Sequence, residues 1–259
     1  MSENIISIKN LNITYQSYGR TNVAVRDFDM TIKRGEIVSL VGESGAGKST
    51  VGKSIMGLID PPGKVSGEIL FNEKNLVNMS ESKKNRYRWK KISMIFQASL
   101  NSLNPTGTIF SDFYSVFRDK LDIKDKKIVN QKIDLLLDSV NLFHEIKKSF
   151  PHELSGGMKQ RIMIALALST EPELVIADEP TTALDVVTEY YVLSLLKEKI
   201  KALGISMLYI THDLPSVIFM ADKIVVMEKG VIVEEGKVRD VITNPSNPYT
   251  KMLVQGLVF

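Results

Sequence analysis

The stretch EIVSLVGESGAGKST, Glu36–Thr50, joins a compact apolar run to a glycine-rich loop. The run, Glu36–Val41, has the character of a buried parallel strand. The loop matches the pattern G-x-x-x-x-G-K-[ST], and a helical stretch begins at its Ser49. In this setting backbone amides and the helix dipole converge on phosphate, a lysine reaches the β- and γ-phosphates, and a serine hydroxyl ligates Mg²⁺. The stretch therefore predicts a nucleotide site that works with Mg²⁺.

Outward from this stretch, the hydrophobic pattern alternates between strands and helices. In the N-terminal third, apolar and polar residues alternate as they do in strands. In residues 109–149 the apolar residues recur with the spacing of a helix. The stretch IMIALALST, residues 162–170, is apolar on all sides, which is typical of a buried helix. Strands and helices then alternate as far as a tail that ends in a short helix. We predict an α/β fold with a mainly parallel sheet core of the P-loop NTPase (RecA-like) type, an N-terminal antiparallel β subdomain and an inserted helical subdomain.

The domain prediction is a single domain, residues 1–259, without internal repeats or long linkers. We expect residues 1–97 and 170–236 to form the nucleotide-binding core together with the β subdomain. Residues 98–169 would form the helical subdomain, and residues 237–259 a C-terminal tail.

Composition and charge exclude several classes of protein. The chain has no cysteine, which excludes disulfides, thiolate metal sites and cysteine nucleophiles. Its net charge of +3 does not require nucleic acid, and the basic run Lys83–Lys91 is interpreted as a solvated face. No apolar run reaches the roughly 18 residues that span a bilayer, and the N-terminus lacks the order of a secretion signal. We expect a cytoplasmic chain with no nucleic-acid partner.

Two carboxylates, Asp178 and Glu179, end a second apolar strand in the stretch LVIADEP. A parallel strand delivers its last residues to the carboxyl edge of the sheet, where the phosphate loop is also expected. There Asp178 would hold Mg²⁺ through water, and Glu179 would polarise an attacking water as the general base. Alone, this pattern is equally typical of an ordinary acidic turn. Because the same chain also contains the phosphate loop, the catalytic interpretation of Asp178 and Glu179 is favoured.

A third motif, HELSGGMKQR at His152–Arg161, sets a serine and two glycines at a predicted helix start. Together with the phosphate loop and the acidic strand end, it resembles the nucleotide-binding subunit of an ABC transporter over nearly the whole chain. The resemblance implies an ATP hydrolase of the transport type. It also implies that Ser155, Gly156 and Gly157 face ATP held by a partner subunit, so that two subunits sandwich two nucleotides head to tail.

The resemblance assigns further positions one at a time. Gln97, which ends ISMIFQ, matches the glutamine loop, which touches Mg²⁺ and the γ-phosphate region. Ala183-Leu184-Asp185 matches the D-loop, which crosses the dimer interface. His212, directly after LYIT, matches the switch histidine that contacts the γ-phosphate.

The adenine contact has two candidates: Tyr15 matches the aromatic residue that stacks on adenine, and Tyr18 is close enough to be an alternative. The predicted catalytic residues are Glu179, His212 and Gln97. The predicted Mg²⁺ ligands are Ser49, Gln97 and Asp178. The predicted nucleotide-binding residues are Tyr15, Gly42, Ser44, Gly45, Ala46, Gly47, Lys48, Ser49, Thr50, Ser155, Gly156, Gly157 and Asp185.

Finer features resemble the oligopeptide, dipeptide and nickel importer group of this family. They are FQASLNSLNPTGTI, the LSGGM form of the third motif with Met158, and the tail NPSNPYTKML. The resemblance implies uptake of peptides, of a nickel or other metal chelate, or of an oligosaccharide. The implied partners are a sister ATPase in a hetero- or homodimer, two transmembrane permease subunits and an extracellular substrate-binding protein. The chain would then lie at the cytoplasmic face of the cell membrane.

Three other classes of protein share some of these motifs. They are a non-transport ABC ATPase acting on DNA or ribosomes, an ABC exporter ATPase, and a P-loop kinase or GTPase. The first generally adds a coiled coil or a second ATPase domain, and the tail and the glutamine-loop region argue against the second. The last would not need the LSGG motif.

Overall fold

The computed structural model describes residues 3–17, 20–97, 102–182 and 184–256. Its strands are β1 (Asn4–Ser17), β2 (Arg20–Lys33), β3 (Ile37–Val41), β4 (Gly63–Phe71), β5 (Lys74–Asn75), β6 (Ile92–Ile95), β7 (Leu174–Asp178), β8 (Ser206–Thr211), β9 (Lys223–Glu228) and β10 (Val231–Lys237). Its α-helices are α1 (Lys48–Ile55), α2 (Glu81–Tyr87), α3 (Ile109–Leu121), α4 (Lys126–Ser139), α5 (Gly156–Leu168), α6 (Val186–Ala202), α7 (Leu214–Met220), α8 (Val238–Thr243) and α9 (Pro248–Gln255). Short 3₁₀ helices cover His144–Lys148 and Pro151–Glu153.

The chain forms two compact units. The first unit consists of Met1–Asn85 together with Gly204–Phe259, and the second of Arg86–Leu203. The division into a core, an inserted helical subdomain at residues 98–169 and a tail stays a prediction.

An antiparallel sheet in the first unit has the strand order β2-β1-β4-β5. Ile6 and Ile8 of β1 are buried, and the lysine that follows them, Lys9, is exposed. Such alternation arises because successive side chains of a strand point to opposite faces of the sheet. The predicted N-terminal antiparallel β structure is confirmed.

A second group of strands in the first unit carries the phosphate loop. β3 lies between β8 and β9 and runs parallel to both, and β10 pairs with β9 in the antiparallel sense. All five residues of β3 are buried, as is typical of a parallel strand in an α/β fold. Val41 pairs with Thr211, so β3 and β8 end together and their following loops leave from the same edge. This arrangement confirms the predicted α/β fold with its parallel strands.

The second unit combines two parallel strands with helices. β6 and β7 pair in parallel, with Ile95 opposite Ala177. Helix α4 packs against both α3 and α5. Helix α5 buries every residue from Ile162 to Leu168, which confirms the predicted buried helix.

Three short α-helices, α2, α7 and α8, were not predicted from the sequence. Helix α7 begins after Asp213, whose side chain accepts a hydrogen bond from the amide of Ser216, and α8 follows β10 directly. The short helix predicted in the tail is α9. Among the residues that the structure describes, no helix is both long and apolar enough to cross a membrane.

Candidate functional site

The phosphate loop connects β3 to α1 in the first unit. Helix α1 begins at Lys48, and its cap residue Gly47 has a left-handed conformation with φ 101°. A glycine cap has no side chain to offer, so no side-chain cap binds the first amides of this helix. Amides at a helix start are well placed to bind an anion. The local structure therefore suits the phosphate that the sequence predicts.

Two glycines of the loop are required by close contacts with neighbouring backbone. A Cβ atom at Gly47 would lie 2.4 Å from the carbonyl oxygen of Ala24, and one at Gly42 would lie 2.0 Å from that of Met227. The neighbouring hairpin also holds the loop, because the amide of Gly230 donates a 3.0 Å hydrogen bond to the carbonyl of Ala46. Any other residue at these two positions would displace the backbone that surrounds the loop.

Lys48 is almost completely buried, with 5% of its surface exposed. Its Nζ donates hydrogen bonds to the carbonyl oxygens of Gly42, at 2.7 Å, and Glu43, at 2.8 Å. A lysine held against the loop in this way brings a positive charge to the edge where β3 ends. Phosphate oxygens are strong acceptors for such an ammonium group.

His212 and Tyr15 also belong to the first unit. His212 directly follows β8, and Gly42 directly follows β3. The last residues of these two strands, Thr211 and Val41, are paired. The parallel register therefore places His212 at the edge from which the phosphate loop leaves. Tyr15 lies in β1 opposite Gly63 of β4, and a ring carbon of Tyr15 lies 2.9 Å from where a Cβ of that glycine would stand. The alternative adenine contact, Tyr18, lies outside the described residues.

The glutamine and the second carboxylate of the prediction meet in the second unit. The side-chain amide Nε2 of Gln97 donates a 2.9 Å hydrogen bond to Oε2 of Glu179, and the hydroxyl of Thr182 donates to the same oxygen at 3.1 Å. Parallel pairing of β6 with β7 explains the meeting, because both residues lie just beyond the paired strand ends. Asp178, the last residue of β7, is buried, with 2% of its surface exposed.

The LSGG motif and the D-loop residue Asp185 also come together in the second unit. They line a cavity of about 510 Å³. The described lining consists of Ser155, Gly156, Gly157, Arg161, Leu184, Asp185, Val187, Thr188 and Tyr191. The remaining D-loop residue, Ala183, lies outside the described residues.

Each loop around this cavity is stabilised by its own helix cap. The hydroxyl oxygen of Ser155 accepts a hydrogen bond from the amide of Met158, so the serine caps α5, which begins where the sequence predicts a helix start. Asp185 caps α6 by accepting bonds from the amide and the hydroxyl of Thr188, at 3.0 and 2.6 Å. The hydroxyl and then the amide of Thr188 lower the pKa of the Asp185 carboxyl. Gly157 lets the two helices approach, because a Cβ there would lie 2.8 Å from a methyl carbon of Thr188.

Several contacts of the site residues were not predicted from the sequence. An arginine of the LSGG helix, Arg161, donates to the carbonyls of Val140 and Asn141 and lies 5.6 Å from the ring centre of Tyr191. Likewise, no sequence motif predicts the hydrogen bond from Thr182 to Glu179. The position of Thr182 three residues after the carboxylate is the only signal, and it is a common one.

The fold and the phosphate loop define a P-loop nucleotide-binding protein. A family model described as ABC transporter matches residues 25–182. The oligopeptide transport ATP-binding protein OppD of Bacillus subtilis (strain 168) is 41% identical over 249 residues, covering 95% of this chain and 70% of that protein. The dipeptide transport ATP-binding protein DppD of the same organism is 41% identical over 257 residues, covering 97% of this chain and 76% of that protein.

Solved structures of ATP-binding cassettes have the same fold. The structure of cbiO1 from Clostridium perfringens, part of the ABC transporter complex cbiONQ, aligns with a TM-score of 0.78 at 30% identity, covering 94% of this chain and 92% of that one. The dimeric, post-hydrolysis cassette MJ0796 bound to ADP and Pi aligns with a TM-score of 0.79 at 29% identity, covering 90% and 99%. The chain belongs to the ABC transporter family and is an ATP-hydrolysing transport ATPase.

Proposed function

We propose that this ATPase powers the uptake of peptides through separate membrane permease subunits. The observation that carries the proposal is the 41% identity, over nearly the whole chain, to proteins named for oligopeptide and dipeptide transport. A nickel or other metal chelate and an oligosaccharide are the alternative cargoes.

For nucleotide binding, we assign the phosphate loop and the first turn of α1 to the phosphates, and Tyr15 to adenine. The ammonium group of Lys48 has three hydrogens, so it would reach the β- and γ-phosphates while the two loop carbonyls still hold it. His212 would contact the γ-phosphate from the end of β8. This assignment is supported by the buried ammonium group and by the glycine cap of α1.

For hydrolysis, we assign the role of general base to Glu179. Its carboxylate would take a proton from the water that attacks the γ-phosphate, while the amide of Gln97 and the hydroxyl of Thr182 hold its orientation. The two hydrogen bonds to Oε2 support this assignment, because an oriented carboxylate is what a general base requires.

For Mg²⁺, the proposed ligands are Ser49, Gln97 and Asp178. A hydroxyl, an amide oxygen and a carboxylate are hard oxygen donors, which suit this ion, and the ion usually takes its other ligands from water and the substrate phosphates. Among the described residues, no group of three or more histidine, cysteine, aspartate or glutamate side chains could hold a metal ion. A site that depends on the nucleotide's own oxygens fits that observation. Bound there, Mg²⁺ would neutralise charge on the β- and γ-phosphates.

For assembly, we propose that the cavity lined by Ser155 and Asp185 serves ATP held by a second ATPase subunit. The similar cassette MJ0796 is described as a dimer, which supports a paired arrangement. The proposed partners are a sister ATPase or a second copy of this chain, two permease subunits and an extracellular substrate-binding protein. The pair would act at the cytoplasmic face of the membrane, without nucleic acid.

The test is transport by the assembled complex. The chain would be co-purified with the permease, sister ATPase and binding protein encoded by neighbouring genes, and reconstituted into vesicles. We expect ATP-dependent uptake of short peptides, and uptake at background level when the chain carries Glu179→Gln. Uptake of a nickel chelate or an oligosaccharide in place of peptides would contradict the proposed cargo, and no permease among the co-purified proteins would contradict the role in transport.

A further inference from the structure

The C-terminal segment touches the phosphate loop directly. The hydroxyl oxygen of Tyr249, in the first turn of α9, accepts a 3.0 Å hydrogen bond from the backbone amide of Glu43, a residue of the loop. The two residues lie 206 positions apart in the chain and belong to the same compact unit. None of the motifs used to recognise the loop includes this tyrosine.

The segment that carries Tyr249 is firmly anchored. Glu234 of β10 accepts hydrogen bonds from the amide and the hydroxyl of Ser246, both at 2.8 Å, and from the amide of Asn247 at 3.0 Å. Burial disfavours the charge of this carboxyl, but the hydrogen bonds, led by the amide of Ser246, outweigh burial and lower the pKa of Glu234 to about 2. The side chain of Asn247 then caps α9 by accepting from the amide of Tyr249 at 2.8 Å. These hydrogen bonds therefore hold the first turn of α9, and with it Tyr249, in a fixed position.

The residue that Tyr249 contacts is central to the loop. The carbonyl of Glu43 accepts hydrogen bonds from Nζ of Lys48, at 2.8 Å, and from the amide of Ala46, at 3.1 Å. Tyr249 thus binds the amide of a residue whose carbonyl orients the lysine. Without the hydroxyl of Tyr249, the exposed loop residues Glu43 and Ser44 would lose one of the hydrogen bonds that hold their backbone in place.

We propose that Tyr249 is a positioning residue, which holds the phosphate loop in its binding conformation from outside the motif. A loop that is ordered before the ligand arrives costs less free energy to order on binding. Loss of the hydroxyl should therefore weaken nucleotide binding and leave the chemical step unchanged. The proposal rests on the proposed role of the phosphate loop in nucleotide binding.

The test is the variant Tyr249→Phe, which keeps the ring and removes only the hydroxyl. We expect ATP affinity, measured with a fluorescent ATP analogue and by competition with ATP, to fall roughly 3- to 10-fold, the range set by one hydrogen bond. In the assembled transporter, KM for ATP should rise by the same factor with kcat unchanged. The matched control is Tyr114→Phe, which removes a hydroxyl bonded to the carbonyl of Lys124 in the other unit and should leave both constants unchanged.

A second variant distinguishes a loss of positioning from a folding defect caused by the substitution of Tyr249. Glu234→Gln keeps the tyrosine and weakens the anchor of its segment, so we expect a smaller loss of ATP affinity in the same direction. Unchanged affinity and KM in Tyr249→Phe, or a fall in kcat alone, would overturn the proposal. Failure of the phosphate loop itself is a distinct outcome: the wild-type chain would then bind ATP no better than Lys48→Ala.

Discussion

The helices α1 and α5 both begin at the glycine-containing motifs that the sequence singles out, and they begin differently. Helix α1 starts after Gly47, which offers no side chain to cap it and has φ 101°. Helix α5 starts after Ser155, whose hydroxyl oxygen accepts a hydrogen bond from the amide of Met158. One helix start therefore has no side-chain cap, whereas the other satisfies an amide with its own serine.

The two loops also differ in the charge that accompanies them. The buried Nζ of Lys48 is bound to the carbonyls of its own loop. The described lining of the Ser155 cavity contains no lysine; its charged residues are Asp185 and Arg161, and Arg161 is bound to the carbonyls of Val140 and Asn141. This difference supports the proposal that the first loop holds phosphate within its own chain, while the second offers only part of a phosphate site.

The largest expected effect in this comparison comes from the lysine. In Lys48→Ala, ATP affinity of the isolated chain should fall roughly 100-fold, because the charge-assisted bonds to two phosphates are lost. Titration with a fluorescent ATP analogue measures this loss. Affinity within a factor of about two of wild type would break the assignment of the phosphate loop.

The next effect concerns the shape of the loop. We expect Gly47→Ala to lower the free energy of unfolding by about 3 kcal/mol, because a Cβ there would lie 2.4 Å from the carbonyl oxygen of Ala24 and φ is positive. The matched control is Gly45→Ala, where φ is also positive but no atom lies within 4 Å of the added Cβ. It should cost about 1 kcal/mol. Equal urea midpoints for the two variants would contradict the packing argument.

The smallest effect concerns the cap of α5. In Ser155→Ala the free energy of unfolding should fall by about 1 kcal/mol, the usual cost of a lost N-cap. Asp125→Ala removes the cap of α4, where the carboxylate accepts from the amide of Lys127 at 2.7 Å, and should cost a similar amount. Only Ser155→Ala should also slow turnover of the assembled transporter. Equal turnover of the two variants would mean that Ser155 serves the helix alone.

The sequence predicted the parts of this molecule whose signals are local. The phosphate loop follows from one contiguous motif, and the buried helix α5 from an uninterrupted apolar run. Helix α7 also carried local signals, a capping Asp213 and an early Pro215, but at seven residues it is too short to show a hydrophobic period. The contacts of Gln97 with Glu179 and of Tyr249 with Glu43 join residues 82 and 206 positions apart, and no spacing rule reaches that far.

The most direct test of the two-loop comparison is ATP binding by the isolated chain carrying Ser155→Arg. The bulky cation fills the cavity at α5, whose described lining includes no residue of the phosphate loop, so ATP affinity should equal that of the wild-type chain. Turnover in the assembled transporter should at the same time fall to background. Loss of ATP binding by the isolated variant, as large as that of Lys48→Ala, would contradict the claim that the loop at Ser155 serves the nucleotide of a partner.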